Sequence, residues 1–439
     1  MLIFWQECKH ILRSRFLWVV VLLSVFLGVF FAVTRVTEDD RENYKAAHLY
    51  VQEYGTVFTK DDAETYRDIY LNETQAGKKF QEALKEAGLP FPTEEEMLDI
   101  RGEGKTEFSK KLESLGYQDF NSYIKIVGGI DNYLSIPNYV ERYDSNPYAE
   151  NSEEVPWISD LIRNRPVPIS DWKKEMLEEA TAKNEEKISA IITTKQNQHL
   201  LPLDDRTDNS RCWFAFPLDL MGQGLVWAAA FVLAGIAAGR SLGGSFQSNM
   251  QGMVYLGKPG RRFGIYKVLA VLAVSAAMYL FLSVFVLLVY VLLCRTDLYW
   301  NVPLSAVNTG DGVMLPRFFI TIGGYWLFQL GVGLAAVLIM ALIFCTAMLI
   351  AKNFYAGFAI SLSVSLLLLG LIMNVPAAQN SFLIMGSPIG LFLNVGKFLQ
   401  QDFLFSILPH FEGVMLLVWC GIAVVLGTVG FMRFRKAAL

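Results

Sequence analysis

Charge is missing from this 439-residue chain in the places where membrane chemistry would need it. Six apolar runs, at residues 16–34, 220–239, 268–294, 318–351, 354–373 and 413–432, contain no Asp, Glu, His, Lys or Arg. Carriers coupled to protons or ions usually place titratable groups inside their spans, because a relay needs them there. With none in these runs, either a partner supplies the energy for pumping or the chain does not pump. Histidine is scarce as well: His10, His48, His199 and His410 are scattered and show no metal-ligand spacing. The five cysteines, at 8, 212, 294, 345 and 420, form no Cys-His arrangement, and no Ser-His-Asp constellation accompanies them. An intramembrane enzyme therefore lacks a candidate site. Cys212 and Cys294 fall near one expected face; a disulfide is one reading and two unrelated thiols the better one. Gly104-Lys105-Thr106 resembles the end of a phosphate loop, but Asp99 stands where that motif needs glycine. Ser241-Leu242-Gly243-Gly244-Ser245 reads as a small-residue loop, with nothing around it that resembles an ATPase domain.

The charge that is present is concentrated. Residues 35–216 carry 36 of the 42 acids and 23 of the 38 bases, while the remainder is mostly apolar. One water-soluble globule cannot bury that much apolar surface within its own fold. A bilayer core about 30 Å thick takes roughly 20 apolar residues in a helix, so the six runs predict six spans. The fourth run is too long for a simple crossing, and Gly323-Gly324 predicts a short interfacial piece with the true span from about Trp326. Lys352-Asn353 predicts a tight turn between the fourth and fifth spans. With the amino terminus inside, twelve bases fall in short inner segments and three in short outer loops. This asymmetry places both termini in the cytoplasm and residues 35–216 outside the plasma membrane.

The expected organisation is an amino-terminal segment with the first span (1–34), an extracellular domain (35–216), and five further spans (217–439). The outer domain reads as mostly helical. One helix runs from Thr59-Lys60-Asp61-Asp62 to the stop at Gly88-Leu89-Pro90, a second starts at Thr93 with Glu94, Glu95 and Glu96, and Asp119 caps a third. Ser170-Asp171 opens a long one. Tyr117, Phe120, Tyr133, Trp157 and Trp172 are its expected core. The domain either gathers substrate or docks a partner, or it is a solvated cap.

The loop 240–267 has five bases and no acid. Phe246, Met250, Met253 and Val254 give one apolar face to a short helix over 245–256. Gly257-Lys258-Pro259-Gly260 ends it, and Arg261-Arg262 precede the next span. Such a helix is either a lever between two rigid spans or an interfacial helix on anionic lipid. At the amino terminus, Leu2, Trp5, Ile11 and Leu12 form an apolar stripe with Lys9 and Arg13 opposite, predicting an elbow helix at the inner membrane surface. Gly235-x-x-x-Gly239 with Ala230, Ala234 and Ala238 gives the second span a small-residue face, read as packing within one subunit. Gln329, Thr346, Ser361 and Ser365 are read as bonding their own helix backbone.

The order of elbow helix, first span, outer insert, second span, cytoplasmic helix, "YLGKPGRRFGIYK" and four further spans resembles the permease subunit of type-2 ABC exporters. A large insert between the first two spans is similar to the sodium-efflux and antimicrobial-resistance permeases of that class. The resemblance implies a half-transporter that pairs with a second copy or a sister permease. A separate cytoplasmic ABC ATPase, carrying ATP and Mg, would dock on 245–256. Phe246, Met250 and Met253 would fill its groove, with Lys258, Arg261 and Arg262 making polar contacts. It also implies that Pro376, Pro388 and Pro409 punctuate a re-entrant outer gate over 374–412, where the residues alone allow an amphipathic outer loop. No cofactor bound to this chain itself, no metal and no nucleic acid is expected; membrane lipid is. The expected cargo is a hydrophobic or amphipathic compound: a peptide antibiotic, a drug or a lipid. A non-transporting receptor or scaffold for an extracellular ligand is the alternative.

Overall fold

The computed structural model describes residues 2–35, 38–57, 62–100, 106–144, 224–244, 260–303, 320–374, 382–393 and 410–437. Among these residues there is no strand, only an isolated bridge between Pro303 and Thr321. Among the described residues six helices are long and apolar enough to cross a membrane: Arg15–Thr34, Leu225–Gly243, Gly264–Leu293, Ile322–Ala351, Tyr355–Ile372 and Phe411–Met432. The chain is an α-helical multi-pass membrane protein.

Helix α1 (Leu2–Leu12) is separated from α2 (Arg15–Arg35) by a break at Arg13-Ser14. The Trp18 indole donates to the Leu12 carbonyl at 2.7 Å. That bond satisfies one of the carbonyls a helix end leaves open. The second span, α9 (Leu225–Ala238), continues through a π-helical turn, Gly239–Gly243, and α10 (Gly260–Cys294) forms the third. Residues 241–243 are thus helical and buried, where a loop was expected. Helix α9 is the most enclosed span: 72% of its apolar window is buried, against 11% for the fifth. Ala230, Ala234 and Ala238 are fully buried, and Gly235 faces Phe344 and Phe358. The small-residue face does pack within one chain, where it lets neighbouring backbones approach closely.

The fourth span, α11 (Ile322–Ala351), is one unbroken helix, so the expected interruption at Gly323-Gly324 is absent. The glycines serve close approach instead. Thr321 Oγ1 caps the helix by accepting from Gly324 N–H at 3.1 Å, and a side chain at Gly323 would collide with the Trp300 indole. At its other end the predicted turn is present. Lys352 adopts the left-handed conformation (φ 52°), and Asn353 Oδ1 accepts from Tyr355 N–H at 2.8 Å to start α12 (Phe354–Asn374). Two short helices, α13 (Phe382–Met385) and α14 (Pro388–Leu393), precede the sixth span, α15 (Phe411–Ala437).

Between the first two spans lie α3 (Glu38–Tyr54), α4 (Ala63–Glu73), α5 (Gln75–Glu86), α6 (Glu94–Asp99), α7 (Glu107–Gln118) and α8 (Phe120–Asp144). The helix expected to run unbroken to Gly88 is two, because buried Thr74 ends α4 and caps α5. Its hydroxyl donates to Tyr70 O at 2.6 Å and accepts from Gly77 N–H at 3.0 Å. The capping box at Thr93 and Glu96 and the Asp119 cap are as expected. The core is so only in part: Phe80, Leu84, Met97, Phe108, Leu112, Ile126 and Ile130 fill it with the expected Tyr133 packed against them, while Tyr117 is 86% exposed and Phe120 is exposed. Tyr133 is half-buried under the Arg67 guanidinium, 4.6 Å from its ring centre. Trp157, Trp172 and the helix expected from Ser170 lie outside the described residues. Of the rejected phosphate-loop residues, Gly104 and Lys105 lie outside the described residues and Thr106 is a helix cap. Thr106 starts α7 by accepting from Ser109 N–H, and Asp99 accepts from Thr106 N–H at 2.7 Å.

Candidate functional site

The end of the bundle that carries α1 holds a buried cluster of three residues from three elements. Glu7 comes from α1, Ser241 from the π-turn that ends the second span, and Lys267 from the start of the third. Ser241 Oγ donates to Glu7 Oε2 at 3.1 Å, Lys267 Nζ donates to the Ser241 carbonyl at 2.7 Å, and Lys267 Nζ lies 3.7 Å from Glu7 Oε1. The side chains of Lys267 and Glu7 are only 7% and 13% exposed. Each polar group therefore faces another in the same triangle. A cation near the end of a helix also complements the partial negative charge of its last carbonyls. Removing one member of such a pair strands a buried charge, at about 3–5 kcal/mol.

Glu7 was not singled out from the sequence, although it is the only acid in the first 37 residues. Charge-free runs also exclude their flanking charges by construction. Lys267 and Glu412 each sit one residue before a run, yet both are buried in the first turns of helical spans. On α1, Cys8 and Ile11 face inward. Trp5, 63% exposed, shares the outward face with Lys9, where the sequence reading set Lys9 opposite to it. Arg13 is exposed at the break. Phe246, Met250, Met253, Val254 and Lys258 lie outside the described residues; Arg261 and Arg262 fall in the first turn of α10, their side chains undescribed.

The middle of the bundle contains a second polar group. Ser275, Tyr279 and Ser283 succeed one another at four-residue spacing on one face of α10, and all three are buried. The Tyr279 hydroxyl meets the Gln329 carbonyl at 3.5 Å and lies beside Trp227 and Ser283. Gly333 makes room for it, since a Cβ there would strike both the hydroxyl and the Trp227 indole nitrogen. Thr346, Ser361 and Ser365 donate to carbonyls four residues back, as expected for hydroxyls inside spans. At Gln329 the backbone carbonyl accepts from Tyr279 of another helix.

At the opposite end of α10, the turn Thr296–Tyr299 meets α3. The Tyr299 hydroxyl and His48 Nδ1 are 2.7 Å apart. Burial, aided by the nearby Arg295 cation and opposed by Asp297, pushes the His48 pKa down to about 4. The ring is neutral at physiological pH. Of the expected outer-gate prolines, Pro388 is buried at the start of α14, where Ser387 Oγ accepts from Gly390 N–H at 3.1 Å; Pro376 and Pro409 lie outside the described residues. Cys8, Cys345 and Cys420 are free thiols; Cys212 is outside the described residues and the Cys294 side chain is undescribed. Among the described residues no group of His, Cys, Asp and Glu could hold a metal. No family model, curated protein or solved structure matches the chain.

Proposed function

We propose that this chain is the permease subunit of an ATP-driven type-2 ABC exporter in the plasma membrane, with both termini cytoplasmic. The observation that carries the reading is the gathering of α1, the end of the second span and the start of the third at one place. Those two span ends bracket the basic segment 240–267, on which a cytoplasmic ABC ATPase carrying ATP and Mg docks. A stroke delivered there reaches two central spans and the amino-terminal helix together. The chain pairs with a second copy or a sister permease, and residues 35–216 face the outside as a helical domain. The apolar helices suit a hydrophobic or amphipathic cargo: a peptide antibiotic, a drug or a lipid.

The test is co-purification of the full chain with a co-expressed ABC ATPase encoded beside it, wild type against a Phe246→Asp, Met250→Asp double variant. Recovery of the ATPase with the wild type and its loss from the double variant is the expected result. Equal recovery moves the docking site elsewhere. No ATPase in either sample overturns the exporter reading in favour of a receptor, in which α3 would relay ligand binding to α10 through His48 and Tyr299.

A further inference from the structure

We infer that Glu7 is a latch whose two partners lie on different spans, so that α1 stays seated only while the end of the second span and the start of the third remain together. The geometry dictates this. One carboxylate oxygen is engaged by Ser241 and the other by Lys267, residues 26 positions apart in sequence and joined directly by the bond from Lys267 Nζ to the Ser241 carbonyl. If the two helix ends separate, the Lys267–Ser241 bond breaks and the carboxylate keeps one partner at most. Ser241 belongs to a π-helical turn, a geometry that recurs inside helices at functional sites. Lys267, on α10, has little solvent to turn to when its partners leave. Apart from the carboxylate, α1 is seated by Phe4, Cys8, Ile11 and Leu12, and it packs chiefly against α10. The separation of two spans is thereby converted into release of a third element. The latch requires no particular partner, so it stands or falls separately from the exporter reading.

Cys8 supplies the readout, because it is buried next to Glu7 on α1. The full-length chain in membrane vesicles is treated with a membrane-permeant maleimide, and modification of Cys8 is followed over time by peptide mass spectrometry. Cys345, buried within the fourth span, reports whether the bundle itself remains folded. The decisive single variant is Lys267→Gln. Burial and the Glu7 charge both hold the Cys8 thiol above its ordinary range, so removing Glu7 would speed thiolate chemistry without any movement. Lys267→Gln keeps that charge. The expected result is Cys8 labelling at least tenfold faster than in wild type with Cys345 still protected. The double variant Glu7→Met, Lys267→Met, which replaces the pair by apolar side chains, is expected to label more slowly than Glu7→Met alone, where the same Glu7 charge is missing but Lys267 has lost its carboxylate. A Cys8 rate within twofold of wild type in Lys267→Gln overturns the latch, since packing alone would then seat α1. A double variant that labels as fast as Glu7→Met alone also overturns it, because loss of a partner would not be the cause. Should Lys267→Gln expose Cys345 as well, Lys267→Arg decides. Its bulkier guanidinium keeps the charge but displaces the bond to the Ser241 carbonyl, and a several-fold rise at Cys8 alone supports the latch while no rise overturns it.

Discussion

The two ends of the third span solve the same problem in opposite ways. At Lys267 an amine is buried against a carboxylate and a backbone carbonyl that accept its hydrogen bonds. At Tyr299 the buried titratable partner, His48, is kept neutral instead, with Arg295 nearby disfavouring its cation. The first arrangement draws three elements together and fails when any member is lost. The second pairs His48 with Tyr299 and weakens when protons become abundant. A buried charge thus gives a strong joint with little tolerance of substitution, and a neutral imidazole gives a weaker joint with a pH dependence.

Lys267→Met should do the most damage, because Glu7 then remains buried with Ser241 as its remaining partner in the triangle. The expected loss is about 3–5 kcal/mol, read as a lower thermal midpoint of the detergent-solubilised chain. A midpoint equal to wild type would erase the distinction between the two ends. Gly333→Ala probes the middle of α10, where its Cβ would displace the Tyr279 hydroxyl and the Trp227 indole. Overpacking of this kind costs about 1–3 kcal/mol. Adding Tyr279→Phe removes the nearest atom, so the double variant should recover part of the loss; simple additivity would show that Tyr279 is not what crowds the site.

Acid should loosen the His48 end. The docked ring has its pKa pushed down to about 4 against 6.5 for a free one. Above pH 6.5 both states are neutral and the contact is fully present. Between 6.5 and 4 the undocked ring takes up a proton that the docked ring refuses, so stability falls with pH. The full shift corresponds to about 3 kcal/mol, and partial exposure reduces it to about 2. Proteolysis at α3–α8 should therefore accelerate between pH 7 and 4.5 in wild type more than in His48→Phe, whose ring packs but cannot protonate. Equal acceleration in both would remove His48 as the cause.

How legible these features were depends on their range. The six spans, the Lys352-Asn353 turn and the caps at Thr93 and Asp119 follow from signals within a few residues, and all are present. Gly323-Gly324 misled because a glycine pair reads as a break unless the Trp300 ring it accommodates is known. Tyr117 and Phe120 misled because aromatic character says nothing of which way a helix faces. Glu7, Ser241 and Lys267 are far apart in sequence, and only packing of α1 against the two spans unites them. The chain did carry a hint, in a lone acid among Lys9, Arg13 and Arg15.

The smallest expected effect lies at the same end of the bundle as the latch, and it separates joints held by burial from joints held by local geometry. Asn353 Oδ1 accepts from Tyr355 N–H at 2.8 Å and Ala356 N–H at 3.4 Å, and the residue is exposed. Asn353→Ala removes a helix cap worth about 1 kcal/mol, because water can reach the N–H groups it leaves. Asn353→Asp, which keeps the accepting oxygen, should behave as wild type. Neither variant should change the rate at which Cys8 is modified, since neither touches Glu7 or its partners. If Asn353→Ala also freed Cys8, the α11–α12 turn and the latch would be one mechanical unit, and the Glu7 triangle would no longer suffice to explain how α1 is held.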